Sequence, residues 1–234
     1  MSQLYEIPDF MDAFESALVD DRNKTEPRDR LFVTDLKHGL EDQCLRQLYH
    51  KLRRDEREDF TIPTLMMFDN GDRIHERIAE HLVEHLGGGW EVVAVEPNLH
   101  DDLPEDLRGR GDLVLEHQEK DLLVPLELKS QRANSFRWLD EDNAKPTHAL
   151  QVQTYTMALD ADYGIVLYLD RDGSNQPEPR IVERDDDLVM ECYHKCKNIL
   201  ELVRKEQAVK KLKGDQFFAS DDGDDLFDAL VGSV

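Results

Sequence analysis

The chain is short of three things. It has only three cysteines in 234 residues, at Cys44, Cys192 and Cys196, too few and too scattered for a disulfide framework. Long apolar runs are missing: no stretch approaches the ~20 residues of a membrane-spanning helix. The first residues, Met-Ser-Gln-Leu-Tyr-Glu-Ile-Pro-Asp, lack the basic-then-apolar order of a signal peptide. Together these point to a cytoplasmic protein that does not enter a membrane. Positive charge is the third shortage, with 29 Lys and Arg against 52 Asp and Glu and a net charge of −23. That excludes a protein whose grip on a polyanion rests on overall basicity. A local basic patch or bound metal ions could offset the acidity, and a salt-rich environment would also select it.

A chain with 39% hydrophobic and 35% charged residues is long enough to bury one core beneath a heavily solvated surface. No internal repeat appears. Residues 1–33 read as an extension, with apolar residues around Phe10–Leu18 suited to a short amphipathic helix and a linker over Asp20–Arg30. Thr34-Asp35 can cap a helix to about Leu52, with Leu36, Leu40, Cys44, Leu48 and Leu52 at helical spacing. It ends in the basic run His50-Lys51-Leu52-Arg53-Arg54. A second helix over roughly Thr64–Leu86 gathers Phe68, Gly71, Ile74, His75, Ile78, Ala79, Leu82 and Leu86 on one face. Gly71 would let it approach a sheet closely, and a lone His75 on such a face reads first as a core residue. Gly87-Gly88-Gly89 ends it.

Trp90–Glu96 is a strand and Pro97–Leu107 a polar loop. The stretch Gly109–Lys129 then reads as two apolar strands joined by a tight connection through His117–Asp121. Asp112 stands at the mouth of the first, and Glu127 and Lys129 lie two apart near the end of the second. Strand side chains alternate, so Glu127 and Lys129 share a face while Leu122, Val124, Leu126 and Leu128 fill the other. Past Lys129, Arg132, Phe136, Arg137 and Trp138 mix charge with aromatic surface, suited either to gripping a nucleic-acid strand or to packing a loop. Pro146 opens a helix over Thr147–Leu159 with His148, Gln151 and Tyr155 on one stripe. Tyr163–Asp170 is a buried strand, Asp172-Gly173 a turn, Arg180–Glu183 an edge strand, and Asp185–Leu212 a long charged helix. From Gly214 the chain becomes an acidic tail, read as disordered on its own and solubilising. Phe217, Phe218, Leu226, Phe227 and Leu230 give it anchors for docking on a protein partner. The order helix, three strands, helix, strand is an α/β layered arrangement.

Carboxylate and ammonium groups in so apolar a strand are costly unless they meet partners or a metal. Asp112 and Glu127, brought together by adjacent strands, form an all-oxygen pair suited to Mg²⁺ or Mn²⁺, the kind of site phosphodiester cleavage needs. Lys129 could orient or deprotonate the attacking water, and His75 could complete the coordination. Gln151 and Tyr155 can hold a phosphate or Lys129 by hydrogen bonds. Taken alone, the Glu-x-Lys pair reads first as a structural salt bridge.

His75, Gly109-Arg110-Gly111-Asp112, Glu127-Leu128-Lys129 and Gln151-x-x-x-Tyr155 resemble the motif series of the RecB-like branch of the PD-(D/E)xK nuclease superfamily, over about Leu65–Asp170. The resemblance implies a restriction-endonuclease-like αβββαβ core with a central mixed sheet, spanning residues 34–213 between the extension and the tail (214–234). It also implies a metal-dependent DNA nuclease, most often an exonuclease, acting in recombination, repair or phage replication. His75, Asp112, Glu127 and the Leu128 carbonyl would bind Mg²⁺ or Mn²⁺. Lys129 would be the catalytic lysine, Gln151 and Tyr155 would complete the site, and Arg110, Arg132, Arg137 and Trp138 are the candidates for contacting DNA. Cys44-Leu45-Arg46-Gln47-Leu48-Tyr49 is similar to the cysteine-bearing segment of CRISPR-associated RecB-like exonucleases. Those carry three further cysteines after the core, whereas this chain has only Cys192 and Cys196, so an iron–sulfur cluster is not expected. The alternative is a non-catalytic acidic accessory or binding module on a nuclease fold.

Overall fold

The computed structural model describes residues 28–54 and 60–213. The segment around Phe10–Leu18, most of the expected linker and the acidic tail lie outside the described residues. The described residues begin with strand β1 (Leu31–Phe32), a 3-10 segment (Val33–Gly39), helix α1 (Leu45–Arg53) and helix α2 (Ile62–His85). Strand β2 (Trp90–Val95), the 3-10 turn His100–Asp102 and strands β3 (Leu107–Arg108), β4 (Leu113–His117) and β5 (Leu122–Gln131) follow. After them come helix α3 (Ala133–Phe136), helix α4 (Pro146–Leu159), strands β6 (Tyr163–Asp170) and β7 (Glu178–Glu183), and helix α5 (Asp186–Lys213). Among the described residues no helix is long and apolar enough to cross a membrane.

The central sheet has the order β2-β4-β5-β6-β7. β4 pairs antiparallel with both β2 and β5, because a tight turn closed by Asp121 at a φ of 50° joins β4 to β5. β5 and β6 run parallel, as they must when a helix, α4, carries the chain from one to the other. β7 returns antiparallel along β6. The helix–three strands–helix–strand order is therefore the one read from the sequence, with β7 added at an edge.

Alternation in the strands sorts the core. Leu113, Leu115, Val124, Leu126, Leu128 and Leu169 face α2, packing against Ile74, Ile78, Ala79, Leu82 and Leu86. Val166, Tyr168 and Val182 face the other way and pack with Val152 of α4 and Phe136 of α3. A further cluster lies between α5, α1, the 3-10 segment and the β2–β3 connection.

Three expectations change. The helix drawn from Thr34 to Leu52 is two elements: the 3-10 segment stops at Gly39 and α1 starts at Leu45. Gly39 lies against α5 so closely that a Cβ there would stand 2.7 Å from the Cys192 Cα, and Cys44, placed on the apolar face by periodicity, is exposed. The connection read as a polar loop buries Leu99, Leu103 and Leu107, and β3 pairs parallel with β1. Residues from Arg28 onward join the folded unit: Leu31 is fully buried, and the Arg28 guanidinium pairs with the buried Asp35 carboxylate, which also accepts from Lys51 Nζ at 2.6 Å and Phe32 N–H at 2.8 Å. Cys192 and Cys196 are buried on α5. The Cys196 thiol donates to the Asp35 carbonyl at 3.5 Å, and burial pushes it up to about 12.

Candidate active site

β5 carries two side-chain sets on opposite faces. Leu122, Leu126 and Leu128 close the α2 layer; Glu127, Lys129 and Gln131 point toward α4. Pro at the first turn starts α4 without wasting an amide hydrogen, and its polar stripe meets β5 residue by residue. Lys129 Nζ donates to Glu127 Oε1 at 2.5 Å and to Gln151 Oε1 at 3.0 Å. Gln151 Nε2 donates to the same Glu127 Oε1 at 2.8 Å and lies 3.0 Å from the Tyr155 hydroxyl. The Tyr155 hydroxyl donates to the Arg110 carbonyl at 2.9 Å. The four polar side chains thus form one connected network that ends on the backbone two residues before Asp112.

Asp112 sits where β4 and β5 part. Leu113 pairs with Leu126, but one step further out the Leu128 N–H is met by the Asp112 carboxylate, at 2.6 Å, instead of a β4 carbonyl. A residue's N–H and C=O leave a strand on the same side, so the Leu128 carbonyl opens toward Asp112 as well. From the opposite layer α2 brings His75 Nδ1 to 3.8 Å from Asp112 Oδ2. His75 is half-buried and no core residue: it lines a cavity of about 900 Å³ with Asp112, Leu128, Glu76, Glu96 and Arg110.

Glu127 is only 3% exposed. Burial raises its pKa from the ordinary 4.5 to about 7, against the lowering effect of the Lys129 charge; the nearby Asp112 carboxylate adds to the rise. One oxygen takes the bonds from Lys129 and Gln151, while Oε2 is buried with no hydrogen-bond partner among the described residues. Burial likewise raises the Tyr155 hydroxyl, keeping it a neutral donor, and lowers the pKa of His75, leaving a neutral imidazole able to act as a ligand.

Two carboxylates, an imidazole and a carbonyl suit a hard divalent cation, and the unpaired Oε2 of Glu127 is where positive charge is missing. The donor chemistry fits Mg²⁺ or Mn²⁺. The side chains are not gathered around one point: among the described residues no three His, Cys, Asp or Glu groups stand in ligand geometry.

Arg110, expected on the DNA side, is exposed at the rim, with Nη1 3.3 Å from Glu96 Oε2. Arg132, Arg137 and Trp138 lie past the end of β5 and are exposed, but Phe136 between them belongs to the core. Sequence reasoning missed Glu96. It takes a left-handed φ of 48°, donates its N–H to the Asp112 carbonyl at 2.8 Å and faces the cavity. It also underused His148, whose Nδ1 lies 3.0 Å from the Tyr168 hydroxyl. Burial and the Lys129 and Lys145 charges lower the His148 pKa to about 4. The signal for His148 was present, on the stripe of Gln151 and Tyr155; for Glu96 there was none, since a strand-end glutamate is ordinary.

No family model and no curated protein matches the chain. Solved structures do. An alkaline exonuclease from Laribacter hongkongensis superposes with a TM-score of 0.56 at 14% identity, over 86% of this chain and 97% of that one. Its complex with dAMP gives 0.56 at 15% identity, over 86% and 96%. A phage related exonuclease from Haemophilus somnus 129PT gives 0.54 at 12% identity, over 82% and 99%. At such identities the likeness establishes the fold, a five-stranded mixed sheet flanked by helices in the restriction-endonuclease-like arrangement.

Proposed function

We propose that this protein is a Mg²⁺- or Mn²⁺-dependent deoxyribonuclease of the RecB-like branch, hydrolysing phosphodiester bonds as a cytoplasmic exonuclease in DNA recombination, repair or phage replication. The observation that carries this reading is Glu127: a buried carboxylate with one oxygen engaged by Lys129 and Gln151 and the other left without a partner. A structural ion pair gains nothing from such an arrangement, which costs desolvation energy. The fold likeness supports it too, since the superposed proteins are exonucleases and one is a complex with dAMP.

Asp112, Glu127, His75 and the Leu128 carbonyl would hold the ion. When bound, such an ion polarises the phosphoryl oxygen, lowers the pKa of water and offsets charge on the leaving oxygen. Lys129 would orient the attacking water and, through its positive charge, favour the ionised form of that water, its Nζ fixed between Glu127 and Gln151. Gln151, anchored by Tyr155, keeps that ammonium from swinging away. By binding the Arg110 carbonyl, Tyr155 holds the turn that delivers Asp112. Arg110 at the rim, and Arg132, Arg137 and Trp138 beyond β5, would contact the DNA, while the acidic tail would meet a protein partner.

The test is end-labelled single- and double-stranded DNA incubated with Mg²⁺, Mn²⁺ or EDTA. Loss of label that needs metal and falls at least ~100-fold in Lys129→Ala is expected, the scale on which a positioned acid–base group acts. Equal background in both proteins would sink the reading. A second reading, an acidic non-catalytic module, is favoured by the net charge of −23; it predicts no turnover in any metal.

A further inference from the structure

The parallel strands β5 and β6 end together, Gln131 opposite Asp170. In open α/β sheets ligands bind beyond the carboxyl ends of parallel strands, where the connections diverge. Here the strands leave as Arg132 and Arg171, tied by the Arg171 N–H to the Gln131 carbonyl at 2.8 Å. Lys145, just before α4, donates its Nζ to Gln131 Oε1 at 3.0 Å. The chain then turns through α3 to Arg137 and Trp138. Trp138 is 87% exposed, more than any other large apolar side chain described, while Phe136 two residues earlier is buried. The turn is braced: the Ala133 N–H donates to Asp172 Oδ2 at 2.9 Å, and Arg180 Nε donates to the Asp140 carbonyl at 2.9 Å. The indole is thus held out into solvent on a supported frame.

Charge at this end is mixed, with Arg132, Arg137, Lys145 and Arg171 among Asp140, Glu141, Asp142, Asp170 and Asp172, but the two signs are engaged differently. Asp170 accepts from the N–H groups of Asp172, Ser174 and Asn175, Asp172 from Ala133, and Asp140 from Asp142 and Asn143. These carboxylates are turned onto backbone donors. Arg132, Arg137, Lys145 and Arg171 have no ion pair among the described residues, in a chain with 52 acidic groups to 29 basic ones. Unpaired cations around an exposed aromatic suit a polyanion carrying flat bases. Away from a duplex end, a base can stack on an indole only when it is unstacked from its neighbours, as single strands readily allow. Gln131 follows Lys129 by two strand positions, about 7 Å, so this surface continues directly from the candidate active site.

We propose that the carboxyl ends of β5 and β6 form a track for single-stranded DNA leading from the scissile phosphate, on which Trp138 stacks an unpaired base while Arg132, Arg137 and Lys145 hold the adjoining phosphates. The inference rests on the nuclease reading and deepens it by naming the form of DNA at the site.

The experiment uses the full chain in EDTA, with a short fluorescent oligothymidylate and a blunt duplex of equal length, following anisotropy and tryptophan emission. The oligothymidylate binds more tightly than the duplex and quenches emission. Trp138→Ala loses the quenching and weakens binding about tenfold, the scale of one base–aromatic stack; Trp138→Phe recovers most of the affinity. Trp90→Phe keeps the quenching. Arg137→Gln and Lys145→Gln each flatten the log–log salt dependence by about 0.7, the value for one phosphate contact on a single strand. Unchanged binding in Trp138→Ala, or a duplex bound as tightly as the single strand, overturns the track. Cleavage of a substrate too short to reach Trp138, followed in Mg²⁺, separates the two readings. Turnover with Trp138-independent binding defeats the track alone; Trp138-dependent binding without turnover in any metal defeats the nuclease alone.

Discussion

Glu127 titrates near 4.5 in an unfolded chain and near 7 in the folded one, because burial outweighs the pull of Lys129. Between those values the native protein keeps a proton that the unfolded chain releases, so stability falls as pH rises through that window and is fully present only below it. In EDTA, the protein is therefore expected to melt lower at about pH 8 than at about pH 5, with this residue contributing on the order of 3 kcal/mol. Glu127→Gln should remove that contribution, raise the melting temperature at about pH 8 and abolish cleavage. Melts of both proteins at the two pH values check it; identical slopes would assign the effect to other groups. The pairing of Glu127 with Lys129 was legible from period-two alternation alone. The unpaired oxygen was not, since it depends on which atoms of α4 fill the space beside it. His75 shows the same limit: periodicity put it on the buried face, and only the divergence of β4 from β5 left a cavity there.

The element scale turns on how closely helices approach the sheet, and Gly71 and Gly164 differ in this. Gly71, inside α2, was expected to permit a close approach. A Cβ there would stand 3.7 Å from Ser130 Oγ, ordinary van der Waals contact. Gly71→Ala should then stabilise the protein by about 1 kcal/mol through helix propensity. Gly164 of β6 draws no notice in the sequence, yet a Cβ there would lie 2.4 Å from Val152 Cγ1 and 3.0 Å from the Pro125 carbonyl oxygen. Gly164→Ala should cost about 1–3 kcal/mol by overpacking and displace α4, loosening Gln151 from Glu127. Urea unfolding of both variants measures this, and two changes of the same sign would contradict the contact geometry. The split at Gly39 has the same cause: spacing gave one helix, but packing against α5 admits no side chain at the point where the chain bends.

At the scale of the whole molecule the net charge of −23 means self-repulsion, which salt relieves. The Debye length shrinks from about 10 Å at 0.1 M to about 3 Å at 1 M, so thermal stability should rise with NaCl over that range. A melting temperature indifferent to salt would mean that local pairs already cancel the repulsion. If DNA follows the proposed track past Arg132, Arg137 and Lys145, its association should instead weaken with salt, whatever the sign of the mean charge. The opposite salt signs of stability and binding can be read from one titration series.

Hydrophobic periodicity determined the central sheet strands, the helices on either side of them, their order and the faces on which Glu127, Lys129, Gln151 and Tyr155 lie. Those follow from local repeat lengths of about two and 3.6 residues, which hold wherever no neighbouring element forces a bend, as α5 does at Gly39. Tertiary structure alone decided that Asp112 caps the Leu128 N–H, that Glu96 joins the cavity, that the 34–52 segment bends, and that Asp140, Asp170 and Asp172 accept from backbone N–H groups and not from Arg132, Arg137 or Lys145. Each of these depends on where two elements part or touch. Composition averages over such places, and the chain's acidity therefore says nothing of how charges are arranged at the ends of β5 and β6.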